Sequence, residues 1–150
     1  MNLRKHILFI LSLSLILLLF SGPVRAKQKI SIVVRTVLAS QEGQFTDPEL
    51  SGLIRELQSV FKYSSYRLLS QDRMNLGMEK MGTASLPGGR LLKITPTGIR
   101  GNRAELRLEI FKKNRQIFQT VIQLLNKGSI TVGGPQHKGG YLLFNISNSF

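Results

Sequence analysis

The sequence contains no cysteine, and that absence closes several routes at once. It removes a disulfide framework, the lipid-modified N-terminal cysteine of a lipoprotein, a thiolate nucleophile, and any sulfur ligand for zinc or copper. Histidine is nearly as scarce. Of the two present, His6 precedes an N-terminal apolar run and only His137 follows it. Acidic residues number 8 against 21 basic ones, so little carboxylate is left for acid–base chemistry. There is no calcium-loop spacing and no G-x-S-x-G elbow. The 14 glycines form neither G-x-G-x-x-G nor a P-loop, and none opens a predicted helix, as phosphate binding of that kind requires. No catalytic residue, no metal ligand and no cofactor is therefore expected, and the chain reads as a non-enzyme.

The carboxylates that remain have structural explanations. Glu49 caps a helix and Glu56 lies on that helix's polar face. Glu105 and Glu109 share a strand face with Arg107 between them, a solvated stripe of alternating charge. Four strand residues separate the two, about 13 Å, too far for a glycosidase pair. Asp72 and Glu79 cannot be placed relative to each other.

What is present begins with an export signal. Arg4 and Lys5 form a short positive region, followed by an apolar run of 14 residues, Ile7 to Phe20, broken only by Ser12 and Ser14. That length suits a signal-peptide core and falls short of the roughly 20 residues of a membrane span. Gly22-Pro23 breaks the helix, and Val24-Arg25-Ala26 offers a peptidase site, with cleavage expected between Ala26 and Lys27. Residues 1–26 are thus expected to be a signal peptide, and 27–150 one α+β domain with no membrane span after cleavage. Removing 26 of the 150 residues leaves 124, enough for one core and not two. Three cations leave with the signal, so 18 basic residues face 8 acidic ones, a net charge of +10. Such an excess favours anionic partners, although its dispersion along the chain also fits a basic surface that only aids solubility.

Lys29 to Ser40 alternates, with Ile30, Ile32, Val34, Thr36 and Leu38 on one face, and reads as a strand. Thr46-Asp47-Pro48-Glu49 has the capping-box form, with Phe45 and Leu50 placed for a hydrophobic staple. Leu50, Leu53, Ile54, Leu57, Val60 and Phe61 then follow helical spacing, predicting an amphipathic helix over about 47–62. Tyr66, Leu68 and Ser70 alternate against Arg67, Leu69 and Gln71, and a less regular stretch runs through Met74, Leu76 and Met78. Strands are predicted over 83–86 and 90–95 around Pro87-Gly88-Gly89, and over 103–112 and 116–125 around Lys113-Asn114. Gly101-Asn102 and Asn126-Lys127-Gly128 mark further turns, before strands over 129–132 and 141–146. The expected fold is α+β: one amphipathic helix on a mainly antiparallel sheet of about seven strands, open or curled into a small sandwich or barrel.

Gly133 to Gly140 reads as a Gly-rich loop with His137 and Lys138 at its tip, its glycines serving positive-φ turns. Loops held on a rigid sheet often carry function, so Gly133, Gly134, Pro135, His137 and Lys138 form the candidate contact surface. His137 itself reads as a solvent-exposed loop residue rather than a base. Tyr63, Tyr66, Phe111, Phe118 and Tyr141 form no ladder among the basic residues, which argues against nucleic acid as a partner. The sequon Asn145-Ile146-Ser147 lies in a predicted strand.

Tyr66-Arg67-Leu68-Leu69, Leu86-Pro87-Gly88-Gly89-Arg90, and Val132-Gly133-Gly134-Pro135 before the strand Tyr141 to Ile146 together give the chain a likeness over most of its mature length. It resembles small exported bacterial proteins of uncharacterised role. That resemblance implies a bacterial, extracytoplasmic setting and a β-rich fold, and brings no activity with it. The expected function is a non-enzymatic periplasmic or envelope-associated binding or assembly module with a protein partner in the envelope. The alternatives are a basic module binding anionic lipid, lipopolysaccharide or glycan, and an enzyme whose site is too plain to recognise.

Overall fold

The computed structural model of the protein describes residues 28–150. The expected signal peptide and its cleavage point lie outside the described residues. Nine strands occur among them: β1 (Lys29–Ser40), β2 (Phe45–Thr46), β3 (Ser65–Gly77), β4 (Gly82–Leu86), β5 (Arg90–Arg100), β6 (Arg103–Lys112), β7 (Arg115–Leu125), β8 (Ser129–His137) and β9 (Gly140–Ser149). Between β2 and β3 come a 3-10 turn, Pro48–Leu50, and one helix, α1 (Ile54–Val60). The strands form two sheets, ordered β2-β3-β1-β9-β8 and β4-β5-β6-β7. Every pairing is antiparallel except the two-residue contact of β2 with β3. The fold is therefore β-rich α+β, with its strands divided between two sheets rather than gathered in one of about seven.

The second sheet is the predicted meander. Lys113 and Asn114 both take positive φ, as a two-residue hairpin turn with this twist demands. Gly88 and Gly89 do the same between β4 and β5. The first sheet is the part that sequence order hides: β1 lies at its centre, with β3 on one side and β9 on the other.

Alternation gives each sheet an apolar inner face, and both faces feed one cluster. Ile30, Ile32 and Val34 of β1 and Leu142, Phe144 and Ile146 of β9 join Leu92 and Ile94 of β5 and Ala104, Leu106 and Leu108 of β6. A second, smaller cluster lies on the opposite side of the five-stranded sheet, where Leu50, Leu53 and Leu57 meet Val37, Ala39, Tyr66 and Leu143. Seven residues of helix have no stability alone in water, so α1 depends on this burial.

The helical region is shorter than its sequence pattern predicts. Asp47, not Thr46, is the cap: its Oδ1 accepts from the Glu49 N–H at 3.1 Å. The staple does not form, because Phe45 stays on the surface with the Arg67 guanidinium 5.4 Å from its ring centre. Gly52, a poor helix former, falls between the 3-10 turn and α1.

Two bulges explain the other departures. In the β1–β3 pairing Thr36 faces Ser70 and Val37 faces Leu68, leaving Leu69 as the extra residue. Strand parity therefore changes at Leu69. Tyr66 and Leu68 point towards α1, whereas Ser70, Asp72, Met74 and Leu76 point to the larger core, with the partners Thr36, Val34, Ile32 and Ile30. In β5, Thr97 is the extra residue between Pro96 and Gly98. Pro96, which has no N–H to give, sits beyond the last pair made with β4, Gly82–Ile94. The strand thus runs through a proline that the sequence suggests should end it.

Candidate functional site

Two strands, β7 and β8, each end a sheet. A short turn joins them, and between them the two sheets are open. An apolar groove of about 320 Å³ lies there, lined by Ile110, Ile117, Phe118, Val132, Gly133, Gly134, Pro135 and Phe144, with Arg90 at its mouth. A second space of about 50 Å³ adjoins it, sharing Ile110, Phe118, Val132 and Phe144 and lined also by the core residues Leu92, Leu108 and Ile146.

Gly133, Gly134 and Pro135 were expected in a loop. They are instead in strand β8, which continues to His137 before a tight turn at Lys138-Gly139. A register shift between Gly133 and Gln136 places Gly134 and Pro135 in a bulge. Positive φ is found at Gly139 but at neither Gly133 nor Gly134. The requirement at Gly134 is close approach: a Cβ there would lie 2.6 Å from the Phe144 ring and 2.9 Å from the Leu142 carbonyl oxygen. Of the five candidate contact residues, the structure thus puts Gly133, Gly134 and Pro135 on the groove wall. His137 and Lys138 lie at the hairpin end and do not line it.

The edges differ in protection. β2 has two residues and β4 five, and β8 carries Pro135 and a bulge. These are the usual devices that keep an edge from pairing. β7 is 11 residues long, and from Gln116 to Leu125 it has no charge, proline or glycine. Ile117, Phe118, Val121 and Leu125 are each about half exposed on it. A register shift at Ile117 interrupts its N-terminal end, and from Phe118 to Leu125 it runs as an apolar edge without charge, proline, glycine or bulge.

At the N-terminal end of β7 the groove meets a row of cations. Arg90 of β5 faces Lys112 of β6, which faces Arg115 of β7. Arg90 and Lys112 continue the inner row Leu92–Ile110–Phe118 two residues on, and Arg115 rejoins it three residues before Phe118, because Ile117 is an extra residue that bulges β7 against β6. Like charges directly opposite one another destabilise a sheet, and no carboxylate interrupts this row. Lys113 adds a fourth cation at the hairpin tip, where a cavity of about 450 Å³ is lined by Lys112, Lys113, Arg115 and Ile117. The Arg90 guanidinium is steadied by a 3.0 Å hydrogen bond from Nη1 to the Pro87 carbonyl.

The chain was compared with protein-family models, curated proteins and solved structures, and none matches it. The site must be argued from its own geometry.

Elsewhere the chemistry is structural. Glu105 accepts from the Thr97 hydroxyl at 2.8 Å, and Glu109 faces Lys93 across β5 and β6. Glu56 ties α1 to β8 by accepting from the Ser129 and Thr131 hydroxyls, each at 3.0 Å. Asn145 of the sequon is buried and donates to the Thr131 hydroxyl at 3.0 Å. Three tyrosines that form no pattern in sequence meet in space. Tyr63 stacks on Tyr141 at 6.1 Å and meets Tyr66 edge-on at 6.3 Å. The Tyr66 hydroxyl donates to the Phe61 carbonyl, and burial pushes its pKa up from 10.

Ser59-Val60-Phe61-Lys62 has the S-x-x-K spacing of some serine nucleophiles. Both residues are exposed, and the Ser59 hydroxyl donates to the Glu56 carbonyl at 2.7 Å. Among the described residues no group of three or more His, Cys, Asp or Glu could hold a metal ion, and no helix is long and apolar enough to cross a membrane.

What the sequence misses is the groove. Ile110, Phe118, Val132 and Phe144 each look like ordinary core positions, and only the open edges of the two sheets expose them together.

Proposed function

We propose that the protein is a non-enzymatic, extracytoplasmic binding or assembly module, periplasmic or envelope-associated, that engages its partner at the groove between β7 and β8. The observation that carries this is an apolar opening of about 320 Å³ beside an edge strand that is uncharged and apolar from Phe118 to Leu125. Such an edge accepts an added strand through its free backbone groups, and such a groove accepts apolar side chains. The shared inner cluster supports reading the two sheets as a small sandwich left open along this side. Export rests on the leader at residues 1–26, and the resemblance to small exported bacterial proteins agrees with it.

The test is retention from an envelope extract at low and high salt, comparing wild type with Ile117→Lys. Lysine at this exposed bulge position should close the groove mouth and guard the edge without entering the core. Retention of one defined component by wild type at high salt, lost in the variant, is the expected result. Equal retention by both forms would remove the groove from the function.

A second reading is favoured by the net charge: general adsorption to anionic lipid, lipopolysaccharide or glycan by the basic surface. It predicts retention that disappears as salt rises and is indifferent to Ile117→Lys.

A further inference from the structure

Resting on the binding-module reading and narrowing it to a ligand class, we propose that the groove is a discrete site for an anionic amphiphile. A single apolar chain would enter between the sheets, and a phosphate or carboxylate head would sit on the row Arg90–Lys112–Arg115.

Two independent observations meet here. The first is apolar space: Ile117, Phe118, Val132 and Phe144 line the groove of about 320 Å³, and a space of about 50 Å³ that reaches Leu92 and Ile146 adjoins it and shares Phe118, Val132 and Phe144 with it. The second is the charge at that mouth. Three cations in register on adjacent strands, on the groove-facing side, repel one another in the empty protein. An anion shared among them relieves that repulsion and gains charge-assisted hydrogen bonds from two guanidinium groups. Arg90 belongs both to the groove lining and to the row, so head and tail positions adjoin.

A second copy of this chain fits less well. Antiparallel pairing of two β7 edges would set Arg115 and Lys113 of one copy near Lys127 of the other, and parallel pairing would set Arg115 beside Arg115. Cations oppose cations either way. An apolar polypeptide strand satisfies the edge but leaves the row without its anion unless a carboxylate ends the segment.

The full chain, expressed with its leader and purified after processing, would be titrated with butyl, octyl and dodecyl phosphate below their micellar concentrations. Calorimetry would give affinity, and backbone amide chemical shifts would give location. The expected result is saturable one-to-one binding that tightens roughly fourfold per methylene until the groove is full. Shift changes should centre on Phe118, Val132 and Phe144. In Arg115→Glu, an exposed position, dodecyl phosphate should weaken about tenfold or more, while dodecyl maltoside, which has no charge, should be unaffected.

Binding indifferent to chain length, or changes spread over the whole basic surface, would overturn the site in favour of adsorption. No saturable binding would overturn it as well. If Ile117→Lys still abolishes retention of an envelope protein in that case, the groove remains a binding site and only its ligand class falls. Selection of a peptide with a free C-terminal carboxylate that displaces nothing, yet shifts the same residues, would reassign the groove to polypeptide.

Discussion

Thr36 occupies the middle of the five-stranded sheet and is fully buried, with Ser70 beside it on β3 and Phe144 on β9. Its hydroxyl, and that of Ser70, have no hydrogen-bond partner. A buried hydroxyl without a partner costs about 1–3 kcal/mol in lost hydration. Thr36→Val removes that cost, keeps the β-branched shape that suits a strand, and puts a methyl against Phe144 and the inner cluster, worth about 0.8 kcal/mol. The substitution should therefore stabilise the protein by about 2 kcal/mol. For a domain of this size that is a rise of roughly 5–10 °C in Tm. The assay is chemical denaturation of wild type, Thr36→Val and Thr36→Ser with the slope checked for constancy, supported by calorimetry. Thr36→Ser keeps the hydroxyl and loses the methyl, so it should be destabilised by about 1 kcal/mol. A Thr36→Val protein less stable than wild type would refute the reasoning, because the hydroxyl would then be satisfied by a buried water or by Ser70.

Tyr66→Phe should cost about 1 kcal/mol in denaturant titration, since the Phe61 carbonyl loses one of its two donors and keeps only the Tyr63 N–H. The folded pKa of Tyr66 lies above 10 through burial, and the unfolded chain titrates near the ordinary value of about 10. The stability this contributes is therefore complete below about pH 10 and disappears as pH rises through the folded value. Phenolate absorbance should show Tyr66 ionising above its ordinary value, together with loss of α1, and the loss of that late step in Tyr66→Phe should identify it; a titration unchanged in Tyr66→Phe would count against the burial. Leu57→Ala, at a fully buried position under α1, should cost about 2–5 kcal/mol. Fast hydrogen exchange over residues 54–60 should accompany it, because Leu57 is the one fully buried residue of the helix. Deleting Leu69 should be worse than any of these. Without the bulge, either Tyr66 and Leu68 or Met74 and Leu76 must change face, so loss of cooperative unfolding is expected, and a native-like melting curve would contradict the register.

Much of the β-structure was legible. Hairpin turns at Lys113-Asn114 and Pro87-Gly88-Gly89 announce themselves by residue type, and β6 alternates as written, with Ala104, Leu106 and Leu108 buried. The failures have physical causes. Leu69 and Thr97 each add one residue to a strand, and a period of two has no way to signal where its phase resets. Met74 and Leu76 looked irregular because they follow such a reset. The division into two sheets is a long-range matter, decided by which strand pairs with β1, and local alternation is silent about it. Gly133-Gly134-Pro135 resembles a loop by composition. Its position in β8 follows from the packing of Phe144 against Gly134, a contact between residues ten apart in sequence and opposite in the hairpin. The groove residues are legible in the sequence as strand positions. Their joint exposure depends on two edges lying side by side.

The pairing of β1 with β9 has a consequence for the order in which the chain can be assembled. Of the described strands, the first made is held on one flank by the ninth, about a hundred residues later in synthesis. Hairpins β4 to β7 can close as they emerge, because each needs only its immediate neighbour. The five-stranded sheet cannot close until Gly140 to Ser149 is present, and until then β1 and β8 are both without their central neighbour. A chain stopped before Gly140 should stay open and aggregation-prone. A chain threaded N-terminus first through a narrow passage should remain unlocked until Gly140 to Ser149 are through.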